Sequence, residues 1–225
     1  MMTRSLASAK RVRELLEETP SLEDPDSPAG EVKDGSIDFE NVSFKYDSAA
    51  EKFALSDINL HIPSGATVGI IGGTGSAKST FAQLIPRLYD ATVGTVKVGG
   101  RNVKDYDLAT LRDAVGLVPQ KSLLFSGTIK ENLLWGNPAA TDREIAACEA
   151  ACVDEFIDRM PKGLDTYLGQ GGVNVSGGQK QRLCIARALL KRPKILILDD
   201  SVSAVDTATE AKIREATAKL KDMTK

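Results

Sequence analysis

The stretch ATVGIIGGTGSAKSTFAQL, residues 66–84, decides the fold because it joins three signals in one segment. ATVGII is a short apolar run of the kind found in a strand buried on both faces, and STFAQLIPRLYD has its apolar residues on one helical face. Between them, GGTGSAKST nearly matches the phosphate-binding pattern G-x-x-x-x-G-K-[ST], with Ala77 where the second glycine belongs. The sequence therefore predicts a strand, a glycine loop and a helix, in that order.

The glycine loop is predicted to hold the phosphates of a nucleotide together with a Mg²⁺ ion. Backbone N–H groups of such a turn bind phosphate oxygens, while Lys78 would reach the β and γ phosphates. Ser79 would place its hydroxyl on the Mg²⁺ ion, and Thr80 would lie near the α-phosphate. We expect a negative φ at Ala77, because loss of the glycine then costs little. The predicted loop contacts come from Gly72, Gly73, Thr74, Gly75, Ser76, Ala77, Lys78, Ser79 and Thr80.

Two later segments carry related signals. In KILILDDS, an apolar strand ends in Asp199 and Asp200, and a carboxylate at the carboxyl edge of a parallel sheet can hold the Mg²⁺ ion of a phosphate loop. In VNVSGGQKQRLCIARALL, Ser176 and two glycines open a second helix with exposed N–H groups. The first two signals taken alone also fit plainer structures, namely a glycine-rich turn without a ligand and a pair of turn-capping aspartates.

Composition restricts the class of protein. The chain has 225 residues with 29 Lys and Arg against 31 Asp and Glu, a net charge of -2 that gives no electrostatic argument for nucleic acid or an anionic membrane. No apolar run approaches the roughly 18 residues of a membrane span. Cys148, Cys152 and Cys184 form no CxxC pair and the one histidine is far away, so reduced thiols are expected rather than a metal site or disulfides. The Arg- and Ser-rich N-terminus fits a charged helix better than a transit peptide.

The rest of the chain predicts a mixed α/β protein. Residues 4–18 have the spacing of an amphipathic helix, and the proline-rich residues 19–35 are typical of a linker. Alternating apolar residues from 36 to 46, 53 to 62 and 94 to 98 predict an antiparallel β layer, and residues 115–118 and 195–198 predict buried strands. Residues 128–160 are mostly helical in pattern, as are residues 207–221. One core-packing stripe of the first region contains Ile145, Cys148, Cys152 and Phe156.

VSGGQ at residues 175–179, ahead of ILILDD, resembles the signature of the ABC (ATP-binding cassette) ATPases, and the long separation of Lys78 from Asp199 leaves room for that family's inserted helical lobe. The resemblance implies a P-loop NTPase core with a parallel sheet, an antiparallel β layer and a helical subdomain at about residues 121–180. LLFSGTIKENL and GQGGVNVSGGQ resemble exporter segments, although Gln170 stands where a glutamate is usual. Residues 1–35 resemble the lead-in from a membrane domain, and residues 36–225 resemble the cassette.

The resemblance also assigns roles at matching positions. Tyr46 would stack on the adenine of ATP, and Gln120 would touch the Mg²⁺ ion and the attacking water and sense the membrane domain. The Mg²⁺ ligands would be Ser79, Gln120 and Asp199. SAVD, ending in Asp206, matches the loop that crosses to a partner cassette. In a head-to-tail pair of cassettes, the partner's ATP would be contacted by Ser176, Gly178 and Gln179. The plainer alternatives for Tyr46 and Gln120 are a packed strand aromatic and an exposed loop amide.

Two departures from the family pattern affect the expected activity. Asp200 stands where hydrolysing cassettes carry a glutamate general base, so we expect a site that binds ATP but hydrolyses it poorly. This pattern resembles the degenerate subunit of a heterodimeric bacterial exporter; a homodimer in which Asp200 works adequately is the alternative. The family's switch histidine would follow a strand beyond Lys225, and the only histidine, His61, is expected on the surface of the β layer. We therefore expect a C-terminally incomplete cassette.

The sequence predicts the ATP-binding part of an ABC exporter at the cytoplasmic face of the cell membrane, with a transmembrane domain and a second cassette as partners. Two alternatives come from other classes. One is a soluble ABC ATPase of DNA repair or translation, which the balanced charge and the absence of a long coiled coil or tandem cassette disfavour. The other is a regulatory module that binds ATP without hydrolysing it.

Overall fold

A computed structural model describes residues 2–141, 144–145, 151–200 and 205–225. Its α-helices are α1 (Met2–Glu17), α2 (Lys78–Leu84), α3 (Leu108–Ala114), α4 (Ile129–Leu134), α5 (Asp154–Ile157), α6 (Gly177–Leu190) and α7 (Thr207–Ala218). Its strands are β1 (Ile37–Phe44), β2 (Leu55–Ile62), β3 (Val93–Val98), β4 (Arg101–Asn102), β5 (Val115–Val118), β6 (Gly127–Thr128), β7 (Tyr167–Leu168) and β8 (Ile195–Leu198). The predicted mixed α/β fold is confirmed.

The antiparallel β layer forms as the alternating pattern predicts, in the order β2-β1-β3-β4. The break in alternation near residues 40–42 is a bulge, since the pairing of β1 with both neighbours shifts register there and Asn41 has a φ of 51°. Buried side chains from this layer, including Phe39, pack on α2, where the Phe39 and Phe81 rings stack with centroids 4.3 Å apart. His61 lies on the exposed face of β2 beside Asp38, as expected.

The parallel sheet joins β5 to β8, with Val118 opposite Leu198. The predicted strand at residues 66–71 is wrong: the structure has no strand there, and Ile70 and Ile71 are 49% and 98% exposed. Only residues 66–68 join the sheet, through two hydrogen bonds with Lys225, whose neighbour Thr224 pairs with β8. A strand buried on both faces needs neighbours along its whole length, and this apolar run has one for only part of it.

The helical region between β5 and β8 has its own core. Ile145, Cys152 and Phe156 are buried in it against Leu183 of α6, which confirms those members of the predicted stripe. Cys148 lies outside the described residues. Cys152 and Cys184 are free, buried thiols, and burial raises the pKa of both. The lobe thus rests on α6, the helix that follows the SGGQ segment.

The N-terminal segment divides into two parts. The helix α1 leaves its apolar side chains Val12, Leu15 and Leu16 exposed. The predicted linker is partly packed on the β layer, since Val32 is buried and the Ala29 N–H donates to the Asp105 carbonyl over 2.7 Å. Within the described ranges, no helix combines the length and apolar character that crossing a membrane requires.

Candidate nucleotide site

The glycine loop closes tightly around the Lys78 side chain. The ammonium of Lys78 donates to the carbonyls of Gly72 and Gly73 over 2.7 and 2.9 Å, so a positive charge lies inside the curve of the loop. Gly72 allows this closure, since a Cβ there would lie 2.5 Å from the Ser76 hydroxyl. Gly75 has a φ of 81°, a conformation that favours glycine. These features fit the phosphate-cradling role expected of the loop.

Ala77 corrects one prediction. It is the residue before α2 and has φ 60° and ψ 25°, in the left-handed region, whereas we expected a negative φ. For a residue with a Cβ this conformation costs roughly 1–2 kcal/mol. The loop must turn sharply into the helix at this point, and the turn overrides the residue's own preference. Its methyl packs against the core under the β layer, so it contributes burial there.

Tyr46 lies beside the start of α2 rather than within the core. Its ring is 59% exposed and has the edge-on neighbours Phe44 and Tyr89, with centroids 4.8 and 5.2 Å away. Its hydroxyl shares a 2.7 Å hydrogen bond with the hydroxyl of Thr80, which is 5% exposed. The exposed ring face is available for stacking on a base. Sequence reasoning missed the bond to Thr80 because β1 and α2 are distant in the chain.

Gln120, Asp199 and Asp200 meet at the carboxyl ends of the paired strands β5 and β8. The Asp199 N–H donates to the Val118 carbonyl over 3.0 Å, and the Gln120 side-chain amide donates to an Asp200 carboxylate oxygen over 3.2 Å. Because Gln120 uses its nitrogen for this bond, its side-chain oxygen is the atom that could bind a metal ion. Together with the Ser79 hydroxyl at the first turn of α2, these oxygens are the hard donors that Mg²⁺ prefers. Asp200 has a φ of 49°.

The SGGQ segment forms the predicted helix start, and Ser176 and Gln179 cap it reciprocally. The Gln179 N–H donates to the Ser176 hydroxyl over 3.3 Å, and the Ser176 N–H donates to the Gln179 side-chain oxygen over 2.9 Å. Val175 just before it is buried, while Ser176 and Gly177 are exposed. The segment therefore presents a rigid, exposed turn supported from below by an apolar anchor.

Asp206, the last residue of SAVD, begins α7. Its carboxylate accepts a 3.0 Å hydrogen bond from the Thr209 N–H, and the bonds to Thr209 hold the pKa of Asp206 below its ordinary value. Residues 203–204 of this motif lie outside the described residues. The visible end of the motif is thus fixed as a helix cap.

Comparison with known proteins decides the family. A family model described as ABC transporter matches residues 55–203. The chain belongs to the ABC transporter family. It is a nucleotide-binding domain of that family and is homologous to the ATP-binding parts of multidrug exporters. The β layer, parallel sheet and helical lobe described above are the ABC ATPase fold.

Two curated relatives and one solved structure illustrate the range of this ABC similarity. The chain is 44% identical over 224 residues to the uncharacterized ABC transporter ATP-binding protein YwjA of Bacillus subtilis, covering 99% of this chain and 39% of that protein. It is 44% identical over 210 residues to a multidrug efflux ATP-binding/permease protein, Rv0194, of Mycobacterium tuberculosis, covering 93% of this chain and 17% of the relative.

A solved structure of a bacterial Atm1-family ABC exporter with ATP bound matches with a TM-score of 0.91 and 35% identity, covering 99% of this chain and 40% of that one. The chain thus spans about two-fifths or less of these ABC proteins. Their names all concern transport, which does not favour the alternative of a soluble ABC protein of DNA repair or translation.

Proposed function

We propose that the chain is the ATP-binding part of an ABC exporter, in which ATP binding and hydrolysis by paired cassettes drive export of a substrate. The observation that carries this is the enclosure of the Lys78 ammonium by the glycine loop, on a chain whose relatives are named as efflux and ATP-binding proteins. In this proposal residues 1–35 lead in from a membrane domain and residues 36–225 form the cassette. Its place is the cytoplasmic face of the cell membrane.

Mg²⁺ and ATP share the site. The metal would be held by Ser79, Gln120 and Asp199, where it would neutralise phosphate charge as the γ-phosphate leaves. The adenine would stack on the exposed face of Tyr46, with the loop from Gly72 to Thr80 around the phosphates. All of these assignments rest on the family pattern and on the positions of the residues in the glycine loop, at the start of α2 and at the ends of β5 and β8.

Hydrolysis at this site is weak in our proposal because Asp200 replaces the glutamate base. Aspartate is one methylene shorter, and a misplacement of about 1 Å can cost on the order of 100-fold in rate. The bond from the Gln120 amide also engages one Asp200 oxygen at 3.2 Å. The other Asp200 oxygen can still accept a proton, so the shorter reach of aspartate is the main reason for the weak hydrolysis.

The chain would carry two half-sites, each a part of a different ATP site. The glycine loop is the first, and the capped SGGQ segment supports the second. Ser176, Gly178 and Gln179 would contact ATP bound to a partner cassette, and a heterodimer would pair this intact segment with a competent base on the partner. Asp206, the cap of α7, would lie at the same interface. A homodimer is the alternative partner arrangement.

The membrane domain would contact the helical lobe at an exposed aromatic pair. The Phe125 and Trp135 rings stack with centroids 4.9 Å apart and are 50% and 67% exposed. The backbone of Phe125 is fixed because the buried Asn132 side chain bonds both its N–H and its carbonyl, over 2.8 and 2.9 Å. A rigid, exposed apolar pair is typical of an interaction site.

The aromatic contact can be tested in the assembled transporter. Trp135→Ala should reduce transport while ATP binding to the cassette is unchanged, because the ring lies away from the glycine loop. Phe53→Ala, a partly exposed aromatic on the β layer, is the matched control and should leave transport unchanged. Equal losses in both variants would contradict this location for the membrane-domain contact.

Single-turnover ATP hydrolysis, with protein in excess over ATP, tests the weak site. Asp200→Glu should raise the rate by up to about 100-fold, because the carboxylate then reaches the water. Asp200→Asn should leave the low rate nearly unchanged. A substantial rate in the unaltered chain that disappears in Asp200→Asn would show Asp200 to be a competent base. No gain in Asp200→Glu would favour the regulatory module that binds ATP without hydrolysing it.

A further inference from the structure

Below the SGGQ segment, Arg182 of α6 is almost enclosed by the helical lobe. Its side chain is 13% exposed, and one guanidinium nitrogen donates to the Cys152 carbonyl over 3.0 Å and to a Glu155 carboxylate oxygen over 3.1 Å. The guanidinium carbon lies 4.8 Å from the centroid of the Phe156 ring. A cation this deeply placed depends on its partners, because an unpaired buried charge is costly.

Glu155 also reaches a second element with its other oxygen. That oxygen accepts a 2.6 Å hydrogen bond from the Lys212 ammonium on α7, so one carboxylate joins two cations on two different helices. The bond from Lys212 is the largest cause that holds the pKa of Glu155 below its ordinary value. The charge of Asp206, at the start of α7, also interacts with both cations: Arg182 helps to lower the pKa of Asp206, and Asp206 helps to raise the pKa of Lys212.

We propose that Glu155 is a positioning residue that fixes the SGGQ segment at the start of α6 relative to Asp206 at the start of α7. The role rests on the proposed function, in which both elements face ATP on a partner cassette. Arg182 lies less than two turns after Ser176 on the same helix, so a shift of its guanidinium moves the helix start. Lys212 lies less than two turns after Asp206, so its bond to Glu155 constrains the start of α7.

A simple surface ion pair would not give this arrangement. Exposed pairs contribute little because solvent screens both charges. Here the carboxylate is 33% exposed and one of its two cations is enclosed, so one lobe side chain bonds to both α6 and α7, which also share the apolar core through Ile213. Loss of the bond from Glu155 to either cation is therefore expected to alter the helix that carries the other cation. An isolated ion pair would not transmit such a change.

Amide hydrogen exchange in the 225-residue chain measures this transmission. Lys212→Met keeps Arg182 paired with Glu155, so the fold is retained. In this variant the amides of Gln179 and Lys180 on α6 should exchange faster, on the order of threefold, although the substitution is on α7. Lys97→Met is the matched control, because it removes a 2.6 Å pair with Glu40 on the β layer, and it should leave those amides unchanged.

Acceleration confined to α7, or equal acceleration in Lys97→Met, would overturn the positioning role. Glu155→Gln removes charge from both arms and should accelerate exchange at the starts of both helices, while binding of ATP to the chain's own glycine loop keeps its affinity. A general loss of protection across the β layer in Glu155→Gln would instead show a merely structural role.

Sedimentation with and without ATP separates this proposal from the proposed function. If ATP does not promote pairing of the unaltered chain with itself or with a partner cassette, the two-cassette function fails, while the exchange data decide the positioning role independently. If ATP does promote pairing, Glu155→Gln should weaken it about tenfold more than Glu40→Gln does. Equal weakening by the two variants would overturn the positioning role.

Discussion

The two helix starts of this cassette that carry glycines, at α2 and α6, differ in how the backbone N–H groups of the first turn are satisfied. At α6, Ser176 and Gln179 satisfy each other's backbone N–H groups in a reciprocal cap. At α2, Ala77 in a left-handed conformation precedes the helix and no side chain caps it. The first four N–H groups of a helix need acceptors from outside the helix backbone. The SGGQ cap engages the N–H groups of Ser176 and Gln179, whereas the start of α2 has no side-chain cap and leaves its donors for an external anion.

This difference indicates which half of the molecule depends on its ligand. The glycine loop combines a strained residue, an uncapped helix and an exposed apolar lead-in at residues 69–71. The SGGQ segment combines a complete cap with a buried anchor at Val175. Binding of a nucleotide to the chain's own glycine loop should therefore stabilise that loop and leave the SGGQ segment nearly unchanged.

The largest effect is expected from Lys78→Met, which removes the positive charge inside the glycine loop. ATP affinity should fall roughly 10- to 100-fold, the equivalent of about 1.5–3 kcal/mol for a hydrogen bond to a charged group. Titration with a fluorescent ATP analogue measures it. Lys97→Met on β3 changes the same residue type away from the loop and should leave the affinity unchanged. Equal affinities in all three proteins would mean that the loop does not bind phosphate.

Ala77→Gly should raise the free energy of unfolding by about 1 kcal/mol, because glycine adopts the left-handed conformation without the Cβ penalty. Part of this gain is offset by loss of the methyl contact with the core. Ala82→Gly, five residues further on in the helical interior of α2, is the matched control and should lower the free energy of unfolding by about 1 kcal/mol. Urea denaturation measures both. If both variants are destabilised alike, the left-handed turn carries no strain.

Local pattern was sufficient for most of the fold and for the SGGQ half-site. The cap at Ser176 follows from residues three positions apart, and the β layer follows from alternation along each strand. The parallel strands β5 and β8 were likewise identified from short apolar runs. In each case the determining interactions lie within one element or between elements with a regular period.

The errors lie where neighbours distant in the chain decide the conformation. The apolar run at residues 66–71 has strand composition, yet it pairs only through Lys225. The positive φ of Ala77 is imposed by the sharp turn from the loop into α2. Alanine itself favours a negative φ. The Tyr46–Thr80 bond and the link from Glu155 to Arg182 and Lys212 join separate elements, and no spacing rule encodes them.

Ser176→Ala removes the cap of α6 and should lower the free energy of unfolding by about 1 kcal/mol. Ser176→Thr keeps a hydroxyl at the cap and should lose less. Thermal denaturation of the two variants, with Ser48→Ala in the turn between β1 and β2 as a control, measures the cap. ATP binding to the chain's own loop should be unchanged in all three. A loss of ATP affinity at the glycine loop in Ser176→Ala would contradict the independence of the two half-sites.

The smallest effect is expected from Tyr46→Phe, which keeps the exposed ring and removes only the 2.7 Å bond to Thr80. The free energy of unfolding should fall by about 0.5–1.5 kcal/mol, the usual net value of one hydrogen bond, and ATP affinity should hold because the stacking face is retained. Tyr46→Ala removes the ring as well and should weaken ATP binding by roughly 0.5–1.5 kcal/mol, the usual value of an aromatic pair. Calorimetric titration with ATP compares the two. If Tyr46→Phe loses as much affinity as Tyr46→Ala, the hydroxyl rather than the ring contributes to binding, because its bond to Thr80 orients the first turn of α2.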